Sequence, residues 1–422
     1  MIDKKVKETL LQIMKEELIP AMGCTEPIAL AYACAKAKEI LGCSPEWIFA
    51  SCSGNIIKNV RCVFIPNSNG MTGIEAACVL GALGGNSAKE MEVLDSITPE
   101  VIAEAKEYLK AGKCEVAYLD SEIPLHFVIE MKGEGHHVSL EVKHSHMNVT
   151  KIEKDGQILF QKEEEEEFSE ETIDRSVMNL ALIKEYADTV EIEEIKPLFE
   201  RVIRCNMAIA EEGMKGKYGV GIGNILQAQG GDVYHRIKAY ASAGSEARMG
   251  GCDLPVIINS GSGNQGIASS VLVIIYAMHI HASEELLYRS LVFSALLTLY
   301  QKEFIGRLSA FCGAVSATCS SGAAITYMEG GTLDQIQMTI DSTLAITPGI
   351  LCDGAKISCA AKIASGLDAS LLAHTMAMND KRYEPNTGLL KETVDETIHI
   401  VGHIGKVGMR ETDKEIIKTM LK

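Results

Sequence analysis

The chain has 422 residues, 47% hydrophobic and 23% charged, an ordinary globular balance with length for two or three domains and a large core. Aromatics are only 5%, so the core must be built from Ala, Ile, Leu, Val and Met, as in closely packed helices. A formal charge of −17 disfavours nucleic-acid binding, which wants a basic footprint, and argues against an anionic membrane surface as partner.

Residues 4–18 carry apolar positions at helical spacing with charges throughout, which predicts an amphipathic helix and not a secretory signal. Pro20 ends or bends it. MGCTEP follows at 22–27 and a second helix begins at 28, so Cys24 falls in a break at a helix N-terminus. Unsatisfied N–H groups and the helix dipole lower a thiol's pKa there, which predicts a reactive thiolate usable as base or nucleophile. Glu26 reads as a capping residue.

Residues 47–66 are strand-like around a polar insertion, in which SGN at 53–55 reads as a turn. NSNGMTG at 67–73 is a turn or a backbone cradle, and 74–85 a small-residue helix. After a helix at 99–111, the runs CEVAYL, LHFVIEM, HHVSLEVKHS and NVTKIE alternate with a period of two, which predicts an antiparallel α+β unit. His136, His137, His144 and His146 fall in these strands and read as solvent-side residues; a metal or substrate contact by His144 and His146 on one strand face is the alternative. The acidic run 163–167 reads as a solvated linker, and helical patterns dominate from 172 to the end. The apolar run 271–280 is too short to span a bilayer and predicts a buried helix.

SGSGNQG at 260–266 follows the apolar LPVIIN and precedes a helix. It lacks the Lys-Ser/Thr of a Walker A motif, so ATP binding is unsupported. It reads either as a tight turn or as a backbone nest for an anion such as a carboxylate, with Ser260, Ser262, Asn264 and Gln265 adding hydrogen bonds. Arg248, in SEARMGG, fits a carboxylate fork or a loop anchor equally and is not placed in the site.

Thirteen cysteines, an odd number without regular spacing, predict reduced thiols in a cytoplasm. Four of them form two C-x6-C pairs, Cys312/Cys319 and Cys352/Cys359, embedded in Gly, Ala and Ser. A spacing of seven is two helical turns, so each pair can share a helix face. Thiolates bind soft metals; the missing C-x2-C knuckle and His weaken zinc and leave room for a cluster. Small buried residues in packed helices account for the same pattern.

Taken together, MGCTEP, SGN, ASAGSEARMGG (241–251), SGSGNQG and the spacing of Cys312, Cys352 and Cys359 resemble the L-cysteine desulfidase family, related to the alpha subunit of iron–sulfur L-serine dehydratases, over nearly the whole chain. The resemblance implies a [4Fe–4S] cluster held by Cys312, Cys352 and Cys359, with one iron open to the substrate, and Cys24 as an essential catalytic residue. Ser53 and Asn55, whose SGN recurs in SGSGN, join Ser260, Ser262, Asn264 and Gln265 as substrate-binding candidates. Cys319 is left as a packing residue, since a fourth ligand would close the cluster.

The activity implied is non-redox β-elimination of L-cysteine to pyruvate, ammonia and sulfide. L-Serine dehydration is the alternative, and a non-catalytic cluster-bearing sensor the reading from another class. No cysteine follows Cys359, so the C-terminal blockade of serine dehydratases is not expected. The expected partners are a small amino-acid substrate and a second copy of the chain, with neither nucleic acid nor membrane. The expected fold is α+β. It comprises an N-terminal segment 1–90 contributing to the catalytic domain, a small antiparallel α+β domain 91–162, an acidic linker 163–171 and a mostly helical, cluster-binding catalytic domain 172–422.

Overall fold

The structure is a computed structural model that describes residues 2–163, 173–306 and 308–421; of the expected linker 163–171, all but residue 163 lies outside the described residues. Asp3 caps the first helix, α1 (Lys4–Glu17), by accepting from the Lys5 N–H at 2.8 Å. A two-residue strand, β1 (Pro20–Ala21), leads to Cys24, the N-cap of α2 (Thr25–Leu41), an Ala-rich helix buried almost all round.

The strand expected to reach residue 66 is shorter. β2 (Trp47–Ser53) ends where Ser53 caps α3 (Gly54–Val60). Ile56, Ile57 and Val60 are buried at helical spacing, so the apolar period changes from two to about 3.6 at that point. Next, α4 (Gly73–Gly84) and α5 (Pro99–Lys110) cross over to β3 (Cys114–Leu119). A meander of β4 (His126–Gly133), β5 (His136–Lys143), β6 (Val149–Lys154) and β7 (Gln157–Gln161) completes a six-stranded sheet in the order β3-β2-β4-β5-β6-β7. β2 and β3 pair in parallel, as a helical crossover dictates, and the other pairs are antiparallel. The sheet is therefore mixed where an antiparallel one was expected.

Helices fill the remainder: α6 (Leu180–Thr189), α7 (Ile192–Gly213), α8 (Ile222–Gln229) and α9 (Val233–Met249). After β8 (Val256–Ile257) come α10 (Gly263–His279), α11 (Glu284–Ile305), α12 (Gly313–Met328) and α13 (Leu333–Leu344). The last three are α14 (Cys359–Met378), α15 (Val394–His403) and α16 (Arg410–Leu421). The fold is α+β. Among the described residues no helix is long and apolar enough to cross a membrane, and the run 271–280 lies largely buried in and just beyond α10.

Among the described residues two large hydrophobic cores form, besides a small cluster of Cys24, Val63, Met249 and Cys359. One large core unites most of the helices after residue 178 with α1, whose Leu10, Ile13 and Met14 are fully buried in it. The other lies between the sheet and α2–α4, around Leu30, Ile48, Leu80, Phe127 and Leu140. The first 90 residues thus divide between the cores, and β1 pairs antiparallel with β8 just ahead of Cys24. Within the helical core α12 and α14 lie close and in parallel, Thr318 against Gly366 and Ser370 against Gly322. That register brings the N-terminus of each helix, with Cys312 and Cys359, to one end of the bundle.

Candidate active site

Between the two cores lies a cavity of about 100 Å³. Cys312 enters it as the N-cap of α12, Cys359 as the first residue of α14, and Cys352 from the loop between α13 and α14. A short antiparallel bridge joins Phe311 to Leu351: the Cys312 N–H donates to the Ile350 carbonyl at 3.3 Å and the Cys352 N–H to that of Ala310 at 2.7 Å. Lys362 ties down the Cys352 loop, donating to the Leu351 carbonyl at 2.7 Å and pairing with Asp353, which also pairs with Lys356. The expectation that each C-x6-C pair shares a helix face is corrected here. Cys352 is in a loop because Asp353 and Gly354 turn the chain there, Gly354 at φ 98° against the Lys58 carbonyl. Cys319 is inside α12, fully buried, its thiol facing the Ile340 carbonyl at 3.9 Å and away from the cavity lining.

Burial, and then the neighbouring Cys352 and Cys359, push the Cys312 thiol up to about 12; burial also raises Cys359. Three soft donors lining one cavity, Cys312 and Cys359 buried and Cys352 half-buried, with Lys362 close enough to offset their charge, are the kind of donor set that an electron-poor inorganic group takes. Among the described residues no three His, Cys, Asp or Glu side chains could hold a metal ion between them. A cluster makes a different demand, since each thiolate binds its own iron. Cys312, Cys352 and Cys359 fit that group.

Cys24 faces the same cavity from the start of α2 and is 1% exposed. The depressed pKa expected from its helix N-terminus is overturned. Burial pushes the thiol up to about 12, aided by Glu26 and Cys359, and Arg248 pulls the other way. Desolvation of the thiolate outweighs the dipole.

Arg248, which sequence reasoning set aside, is 4% exposed and lines the cavity. Its Nη2 donates to the Gly23 carbonyl at 2.7 Å, and its Nε has no partner. The guanidinium lies against Gly263, the first residue of α10, where any Cβ would overlap it. Gly263 in SGSGNQG therefore clears the space in which Arg248 reaches the helix N-terminus.

The rest of that loop is built from internal bonds. Ser260, at φ 50°, donates to Asn259 Oδ1 at 2.8 Å, Ser245 donates to Asn264 Oδ1 at 3.1 Å, and Thr25 donates to the Gly261 carbonyl at 2.9 Å. Ser262 is the N-cap, and Gln265 Oε1 is buried without a partner. Ser260, Ser262, Asn264 and Gln265 all line the cavity. Ser53 and Asn55 do not: the Ser53 hydroxyl is spent on the Pro124 carbonyl at 2.6 Å. The 67–73 loop lines a separate cavity with Phe64, Gly251 and Asp253.

Several lining residues were not legible as site residues: Thr25, Glu26, Asn59 and Lys302; His146, expected on the solvent side with a site contact as the alternative, lines the cavity too. Glu26 is more than a cap, since it accepts from Asn59 Nδ2 at 3.1 Å. His144 and His146 are not on a strand face, because β5 ends at Lys143 and His144 turns at φ 67°, which carries His146 to the cavity. His136 and His137 pair with Asp155 and Glu130 at the sheet surface.

Fold and site define an α+β protein with a cavity lined by four thiols between two large cores. The serine dehydratase alpha chain family model matches residues 88–418. A UPF0597 protein of Lachnoclostridium phytofermentans is 46% identical over 98% of this chain and 99% of its own, and one of Desulfitobacterium hafniense 46% over 98% and 96%. A third, of Treponema denticola, is 44% identical over 100% and 99%. The chain belongs to the serine dehydratase alpha chain family, a family of iron–sulfur amino-acid lyases.

Proposed function

We propose that this chain is a lyase that removes the β-substituent of a small α-amino acid without net redox change, with L-cysteine as substrate and pyruvate, ammonia and sulfide as products. What carries the reading is the meeting of Cys24, the α10 N-terminus and the thiols of Cys312, Cys352 and Cys359 around one cavity. When bound by those three cysteines, a [4Fe–4S] cluster supplies a Lewis-acidic iron to the leaving group.

The chain's own groups do the rest. The N–H groups opening α10 and the free Nε of Arg248 receive the carboxylate. Arg248, Asn264 and Gln265 are buried, so these dipoles act more strongly than they would in water. Cys24 takes the Cα proton on its Sγ in its thiolate form, which burial disfavours and Arg248 beside it favours. The C–H electrons form the new double bond while the β-substituent departs with its own pair; the resulting enamine hydrolyses to pyruvate and ammonia. The thirteen free cysteines support a reducing, cytoplasmic setting.

L-Serine is the second reading, favoured by the family to which the chain belongs. Anaerobic incubation of cluster-reconstituted protein with each amino acid separates the two. The expected result is sulfide and pyruvate in equal amounts from L-cysteine, faster than pyruvate from L-serine. Faster turnover of serine replaces the substrate assignment, and no pyruvate from either sinks the proposal.

A further inference from the structure

The cavity has a second pole, opposite in sign to Arg248. Glu26, in the first turn of α2, is 9% exposed and forms no ion pair with any Lys or Arg among the described residues. Its Oε1 accepts from Asn59 Nδ2 at 3.1 Å, and its Oε2, 3.1 Å from the Thr25 hydroxyl, at most shares the one proton that this hydroxyl gives to the Gly261 carbonyl at 2.9 Å, so both oxygens keep unused lone pairs. A carboxylate held out of water without a cation is costly and invites one. The bond to Glu26 also fixes the Asn59 amide: with Nδ2 turned to the carboxylate, Oδ1 is left as an acceptor. That oxygen is buried on a residue 6% exposed and has no partner. Both residues line the cavity that Arg248 lines.

An unpaired donor on a cation at one place, and at another an anion with spare lone pairs beside an unpaired amide oxygen, are what a zwitterion needs. An ammonium group has three donors and no acceptor, and Glu26 with Asn59 Oδ1 offers it acceptors only. We infer that Glu26 and Asn59 form the ammonium-recognising half of the substrate site. They make the cavity selective for α-amino acids over the α-hydroxy acids that share the carboxylate and β-carbon. The inference rests on the reading of the cavity as an amino-acid site and adds the residues that set its selectivity. It also explains why Glu26 stands two residues from Cys24: the ammonium held there is bonded to the carbon that loses its proton.

The test is isothermal titration calorimetry of the anaerobically reconstituted protein with L-alanine, which has no leaving group, and with L-lactate, in which a hydroxyl replaces the ammonium. The wild type should bind L-alanine about tenfold or more tighter than L-lactate. Glu26→Gln keeps the acceptor for Asn59 Nδ2 and removes the charge. It should weaken L-alanine about tenfold or more and leave L-lactate within about twofold. Asn59→Ala should shift the same preference in the same direction by less. Retained L-lactate binding shows that each variant still forms the cavity.

Equal weakening of both ligands in Glu26→Gln would make Glu26 a packing residue and overturn the inference. So would a wild type that binds neither ligand, or binds both alike. Discrimination in a protein that releases no pyruvate from any amino acid would overturn the proposed reaction and leave this inference standing.

Discussion

Gly263 and Arg248 show how one missing methyl group can decide a site. Gly263→Ala places a Cβ in the guanidinium's position at the mouth of α10. The expected outcome is a KM raised roughly tenfold to a hundredfold, the worth of a charge-assisted bond, with iron content unchanged. Steady-state kinetics with iron analysis check it. The cysteines should divide their labour. Replacing Cys312, Cys352 or Cys359 by Ala should lose iron, and activity with it. Cys24→Ala should keep iron and lose about a hundredfold or more in turnover, the usual cost of removing a positioned proton-transfer group. Cys319→Ala should keep both, because its thiol faces Ile340 and not the cavity. Loss of iron from Cys24→Ala, or its retention in all three of the others, would contradict the assignment.

At the scale of elements, the loop carrying Cys352 is held by Asp353 through its pairs with Lys356 and Lys362. Asp353→Asn should speed iron release to a chelator several-fold while leaving the thermal midpoint nearly unchanged, since these pairs are partly exposed. A second prediction concerns Asp341 in α13, whose carboxyl burial pushes up to about 6 from 3.8. The folded state then holds a proton that the unfolded chain has already released between those values. Stability therefore falls as pH rises from about 4 to 6, by at most about 3 kcal/mol, and stays lower above. Asp341→Asn should remove that loss, so its melting advantage over wild type grows across this window and then levels; an advantage independent of pH would refute it. Helices such as α1, α2 and α5 were legible because long apolar periods leave little choice. The C-x6-C pairs misled because spacing says nothing about whether the chain stays helical, and between Cys352 and Cys359 Asp353 and Gly354 turn it.

At the scale of the whole molecule, the cavity exists because residues distant in sequence come from two cores. The α2 N-terminus, α3 and the 144–148 turn supply Cys24, Glu26, Asn59 and His146; the helical core supplies Arg248, the α10 N-terminus and the three cysteines. Motifs that place glycines, cysteines and hydroxyls close in sequence announced their part of it. Asn59 carries no local pattern, since its partner Glu26 is 33 positions away, and His146 carries only the spacing to His144, while its neighbour across the boundary is Gly261. Arg248 was ambiguous for the same reason: its partner is the Gly23 carbonyl, 225 positions away. The claim on which the account turns is that Cys312, Cys352 and Cys359 hold a cluster whose remaining iron meets the substrate. Mössbauer spectroscopy of the protein reconstituted anaerobically with ⁵⁷Fe, before and after L-cysteine, tests it most directly. One iron environment should differ from the others and shift when L-cysteine is added, with the remainder unmoved. A spectrum of equivalent irons that L-cysteine leaves unchanged would contradict it.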